Sequence, residues 1–280
     1  MSVTGACLCG AVRWAAEAPF TAMSHCHCSM CRKHHGALFA TYATTSADGL
    51  RWLKGEDQIR SWIPSRPFCG TCGSTLPVTL PRQGVAYCPT GPAEGELGVR
   101  PQLHIFAASK PAWSEITDDL PQVAAYPDGV DARPVERLAV TPEPGLMLGS
   151  CLCGEMAFEA DLDAAVMARN CHCSRCRRQT AAAHASNLFV RMDALRFRRG
   201  EELRTIWKLP QAERFATAFC SRCGSLAPRP IPALGLQLIS MGLLDTDPGM
   251  LPACHIFVHD KAPWFEITDQ LPQYEGYPPR

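Results

Sequence analysis

Short runs in which apolar and polar residues alternate, or in which β-branched and aromatic residues gather, recur along the chain. Examples are Ala11-Val12-Arg13-Trp14, Ala157-Phe158-Glu159, Leu188-Phe189-Val190 and Gln237-Leu238-Ile239-Ser240. A period of two turns one face of the backbone inward and predicts half-buried strands. Helical periodicity is scarce. A short helix is expected only after each of two cysteine-rich loops, around 30–36 and 175–182. The 24 prolines and 21 glycines break the pattern into brief segments joined by turns. The fold class that follows is mainly β. No apolar run approaches the roughly 18 residues that a membrane helix needs. Residues 1–6 lack the basic, then apolar, pattern of a secretory signal. A cytoplasmic location without membrane contact is therefore expected.

The pattern occurs twice. Gly5-Ala6-Cys7-Leu8-Cys9-Gly10 returns as Gly149-Ser150-Cys151-Leu152-Cys153-Gly154, and His25-Cys26-His27-Cys28-Ser29-Met30-Cys31 as Asn170-Cys171-His172-Cys173-Ser174-Arg175-Cys176. Phe68-Cys69-Gly70-Thr71-Cys72-Gly73-Ser74 returns as Phe219-Cys220-Ser221-Arg222-Cys223-Gly224-Ser225. The tail from His104 through Trp113 and Asp118 returns from His255 through Trp264 and Asp269. Trp62 and Trp207 also match, but the second copy carries extra residues between its tryptophan and its Cys-x-x-Cys. Two domains are expected, 1–127 and 146–280, joined by a Pro-containing linker over 128–145 with one short strand near 135–140. Near-complete copies in one chain predict that the halves pack together as a fused pseudo-dimer.

Sixteen cysteines in 280 residues change the picture most. In a chain without a signal peptide such density reads as metal ligation. Seven align per copy. Cys7, Cys9, Cys69 and Cys72, and likewise Cys151, Cys153, Cys220 and Cys223, join a C-x-C to a distant C-x-x-C, which is the spacing of a closed structural zinc site. Cys26, Cys28 and Cys31, and likewise Cys171, Cys173 and Cys176, supply three sulfurs each. Three ligands leave a fourth position for chemistry or for a further protein ligand. Four zinc ions per chain are expected. Cys88 and Cys254 do not align and read as buried thiols, with Cys88 a conceivable fourth ligand in the first copy.

A divalent ion with three thiolates carries a charge of −1. Such a site acidifies water weakly and accepts an incoming thiol well. His27 and His172 lie between ligands and are expected to hydrogen-bond around the metal rather than bind it. His104 and His255 are either satisfied core histidines or pocket residues. Arg32, Lys33, Arg177 and Arg178 read either as a solvated face or as a grip on the carboxylate of a small thiol. Lysine plus arginine equals aspartate plus glutamate, 27 each. That balance argues against a nucleic-acid partner.

The motifs G-x-C-x-C-G, C-H-C-S-x-C-R, F-C-x-x-C-G-S, H-I-F and W-x-E-I-T-D-x-L-P-Q resemble those of the glutathione-dependent formaldehyde-activating enzyme family, which includes centromere protein V. The resemblance spans nearly all of both halves. It implies a fold of the β-tent kind, a structural four-cysteine zinc and a catalytic zinc on the three-cysteine loop. It also implies carbon–sulfur lyase chemistry on glutathione and formaldehyde. The family's Gly-x-Leu-Asp element stands intact as Gly242-Leu243-Leu244-Asp245 but reads Gly91-Pro92-Ala93-Glu94 in the first copy. This marks Asp245 as a candidate substrate residue beside Arg32, Arg177, His104 and His255, and the second half as the more active. A zinc-scaffolded binding module without catalysis is the alternative.

Overall fold

A computed structural model describes residues 2–126 and 140–279. The chain is mainly β, with two short α-helices, α1 (Ser29–His35) and α2 (Ser174–Thr180). Each half builds a small and a larger sheet, and every strand pairing among the described residues stays within one half. In the first half one sheet runs in the order Ala93–Glu94, Val3–Ala6, Arg13–Ala16, Leu50–Lys54. The other runs Leu103–Ile105, Ala22–Cys26, Ala40–Ser46, Val85–Pro89, Val78–Leu80. The second half repeats the plan with Leu146–Ser150, Ala157–Asp161 and Leu195–Arg199 in one sheet. Its larger sheet has Ala185–Arg191 and Ala165–Cys171 at the centre. The strand expected near 135–140 lies outside the described residues except for Val140, which is not in a strand.

The alternating runs pack as their period requires. Trp14, Ala16 and Met23 turn into one buried cluster with Phe20 and Ala43. Met147, Phe158, Leu188, Val190 and Ile239 form the corresponding cluster of the second half. The extra residues of the second copy lengthen a hairpin. The first half pairs Ile59–Ser61 with Pro67–Cys69, whereas the second pairs Arg204–Lys208 with Ala216–Cys220. Among the described residues no helix is long and apolar enough to cross a membrane.

The halves exchange side chains. Trp264 is buried in the first half's core cluster, and Trp113 packs against the second half's. These tryptophans therefore do not fill the cores of their own halves. Trp62 and Met30 pack on the four-cysteine group of the second half, while Trp207 and Leu209 pack on that of the first. Gly73 and Gly224 lie against Phe219 and Phe68 respectively. A Cβ at either glycine would fall 2.5 and 2.3 Å from the ring carbon, so only glycine permits this approach. Matched residues Thr117 and Thr268 meet with hydroxyls 2.6 Å apart. The contacts are reciprocal, residue for matched residue.

Candidate metal centres

Both four-cysteine groups form where two turns meet. Gly10 N donates to Cys7 O, and Gly73 N to Cys69 O, which folds each motif so that its sulfurs converge. Ser74 ties the turns together, accepting from Leu8 N at 3.1 Å and touching Cys72 Sγ at 3.3 Å. Ser225 repeats this with Leu152 N and Cys223 Sγ. All four sulfurs of each group lie within 4.8 Å of one another. The spacings include 3.4 Å for Cys7–Cys9, 3.7 Å for Cys9–Cys69, 3.3 Å for Cys151–Cys153 and 4.0 Å for Cys153–Cys220. A tetrahedron with zinc–sulfur bonds of about 2.3 Å has sulfur–sulfur edges of about 3.8 Å. Contacts with Cys69 and Cys7 hold the Cys72 thiol far below its ordinary range, while Cys69 and Cys72 drive Cys7 far above it. Within each group some thiols are held below their ordinary range while the others are driven above it. Only a cation would let all four ionise together, so the donor set fits a metal ion.

The three-cysteine loops are positioned by a parallel strand. Leu103–Ile105 runs beside Ala22–Cys26 with His104 facing His25 and Ile105 facing Cys26. His255–Ile256 does the same for Asn170 and Cys171. Cys28 and Cys173 then cap α1 and α2, their sulfurs accepting from Cys31 N at 3.3 Å and Cys176 N at 3.4 Å. Contacts with Cys26 and Cys31 push the Cys28 thiol down to about 3, and Cys171 and Cys176 do the same to Cys173. The sulfurs of each trio converge within 4.8 Å, and among the described residues no histidine, carboxylate or fourth cysteine joins them. Cys88 lies instead in the cluster with Trp14, so the first site does not recruit it. Cys254 packs beside Cys171 and Cys176 without joining the trio.

His27 turns away from the sulfurs. Its Nε2 lies 2.8 Å from His104 Nδ1, and His104 Nε2 lies 2.9 Å from Asp118 Oδ1. His172, His255 and Asp269 form the same chain, with distances of 2.8 and 3.0 Å. The carboxylate accepts the Nε2 proton of His104, which leaves Nδ1 to accept from His27. Burial holds His27 down to about 3 and His172 to about 2, so both rings stay neutral. His104 and His255 thus meet both expectations: they are hydrogen-bonded, and they line a cavity of about 100 Å³ between the halves, with His25, His184, Phe39 and Phe265.

The remaining candidates serve other contacts. Asp245 pairs with Lys33 of the other half at 2.6 Å, with side chains 8% and 2% exposed. The carboxylate that marked the second half as the more active therefore bridges the halves. Glu94, its match, pairs with Arg178 at 2.5 Å in a more exposed setting. Arg177 is spent on carbonyl oxygens of His172, Asp260 and Gly91. Arg32 is buried, with 4% of its surface exposed. Sequence reasoning missed Arg66, Tyr42 and the aromatic pairs Phe106–Tyr126 and Phe257–Tyr277. Phe106 and Phe257 hold φ near +58° and +57°, which is uncommon for a phenylalanine and places strain beside each trio. Only the recurrence of H-I-F pointed toward them.

These features define a mainly β chain with two closed and two three-sulfur cysteine groups, each able to hold a metal ion. The profile of the family described as glutathione-dependent formaldehyde-activating enzyme matches residues 2–109 and 146–260, and the chain belongs to that family. A protein of Halomonas elongata that bears the name of the same enzyme is 30% identical over 152 residues, covering 46% of this chain and 90% of its own. A crystal structure of a Rhodobacter sphaeroides protein is 28% identical, with a TM-score of 0.31, over 38% of this chain and 98% of its own.

Proposed function

We propose that the chain is a zinc-dependent carbon–sulfur lyase-like enzyme acting on a small thiol of the glutathione type or on its aldehyde adduct. The observation that carries this reading is the contrast between two groups with four sulfurs and two with three, the latter joined by no further protein ligand among the described residues. Zinc held by Cys26, Cys28 and Cys31, or by Cys171, Cys173 and Cys176, would supply a position that takes a thiol as thiolate. Addition of such a sulfur to an aldehyde carbon would open the carbonyl π bond and leave the thiol proton on the carbinol oxygen. The chains His27–His104–Asp118 and His172–His255–Asp269 orient the loops rather than bind the metal. The four-cysteine zinc sites are structural in this reading.

The same reading takes 1–127 and 146–280 as two domains of the β-tent kind, joined through 128–145 and packed as a fused homodimer. The reciprocal contacts support it. All sixteen cysteines are unpaired to one another, which suits a reducing compartment such as the cytoplasm. The test is calorimetry with glutathione, together with hemithioacetal formation from formaldehyde, on Cys28→Ser, Cys173→Ser and the double variant. The double variant should lose both. Unchanged binding and turnover in it would sink the proposal.

A further inference from the structure

The two three-cysteine groups differ in their neighbours. The residue just before the second strand of each hairpin reaches the trio. In the first half it is Arg66, preceding Pro67–Cys69; in the second it is Phe215, preceding Ala216–Cys220. Arg66 Nη2 lies 3.8 Å from Cys31 Sγ, and Nη1 donates to Ser65 O at 2.8 Å. Its Nε is buried without a hydrogen-bond partner among the described residues. Phe215 packs on the apolar cluster of Cys171, Cys176 and Cys254. The cations that feel that trio are Arg177, through the charge of Cys173, and Arg229, through that of Cys176, and neither has a hydrogen bond to a sulfur among the described residues.

We infer that Arg66 balances the charge of the first three-cysteine centre and so lets an external thiolate join it. This rests on the proposed zinc–thiol reading. Three thiolates and a divalent ion sum to −1, and a fourth thiolate makes −2 in a buried setting. The guanidinium returns that to −1 without ligating, and its contact with Cys31 draws electron density from the sulfur. Tyr42 completes this side of the site. His35 Nδ1–H donates to Thr180 O at 2.7 Å, so Nε2 accepts from the Tyr42 hydroxyl at 2.7 Å and fixes it beside the trio. Asn187 stands at the position matching Tyr42, and the phenol packed on the second trio is Tyr274, which comes from the C-terminal tail rather than from this strand. The Arg66 contact with Cys31 makes the first half the thiol-binding half.

The test uses the full chain with Cys173→Ser, which leaves one three-cysteine group. Cadmium NMR then shows that group apart from the two four-cysteine groups. Arg66→Gln should move its resonance alone, and should weaken glutathione and 2-mercaptoethanol alike by about tenfold in calorimetry. Arg66→Lys, which keeps the charge, should retain most of the binding and serves if the glutamine variant folds poorly. An unmoved resonance overturns the inference. So does weakening confined to glutathione, which would make Arg66 a carboxylate clamp. If the parent takes neither thiol, the enzyme reading fails, and the resonance still decides the Arg66 contact.

Discussion

Lys33 has its ammonium in a cage made by the other half. Nζ donates to Ser150 O and Oγ at 2.8 Å each and to Leu243 O at 3.2 Å, and it pairs with Asp245, whose other oxygen accepts from Ser150 Oγ. Lys33→Met would leave the Asp245 carboxylate buried and unpaired. Urea unfolding should show a loss of about 3–5 kcal/mol, with most of it restored by adding Asp245→Leu. A second expectation concerns acid. Burial holds His35 down to about 4. Unfolded, it would titrate near 6.5. Between these values the unfolded chain binds the extra proton, so the stability held above pH of about 6.5 drains away as pH falls toward 4. Going from about pH 7.5 to about pH 5 should cost roughly 2 kcal/mol through this residue. In buffered zinc, the denaturation midpoint of His35→Gln should fall less over that range than that of the parent. In sequence Lys33 read as a solvated face or a grip on a small carboxylate, and its partners lie more than a hundred positions away; nothing marked His35.

Elements carry the cysteine groups, and here the sequence was most legible. C-x-C and C-x-x-C act over a turn, and backbone geometry at that range depends little on distant residues. The expected helices at 30–36 and 175–182 appear as α1 and α2, within a residue or two. At the residue where Gly36 ends α1 with φ of 64°, Ala181 keeps the same left-handed turn at 54°, so the loss of glycine did not change the element. The four-cysteine group ties elements 60 residues apart, whereas the trio lies within one loop. Cys69→Ser should therefore lower stability by about 3 kcal/mol or more, and Cys28→Ser by about 1 kcal/mol. Thermal unfolding with parallel metal analysis measures both, and equal losses would make both kinds of site structural.

At the scale of the whole molecule, each half is completed by the other. Trp264 and Ala262 fill the first core, Trp113 and Leu38 cover the second, and each four-cysteine group is roofed by the opposite hairpin. A separated half would expose these apolar faces to water, at about 25 cal/mol per Å². Residues 1–127 or 146–280 expressed alone should give little folded monomer. Co-expression of both pieces should restore a complex whose metal content approaches four ions. A stable, monomeric, metal-loaded half, seen by analytical ultracentrifugation, would show that the exchange is dispensable.

By itself the sequence determined the strand-rich class, the two copies, the four cysteine groups and the family, because each is written in local spacing or in the repetition of local patterns. It did not determine which side chains cross between copies. The sequence left Trp113 and Trp264 open between the cores of their own halves and the interface, and it placed Asp245 near substrate. Both placements depend on which surfaces meet, and a repeat reads the same whether its apolar residues turn inward or toward the other copy. The tertiary structure also decided that Arg66 and Phe215 face matched cysteine trios. A hairpin of different length delivers each residue, so alignment does not bring them opposite one another, and only the folded chain does.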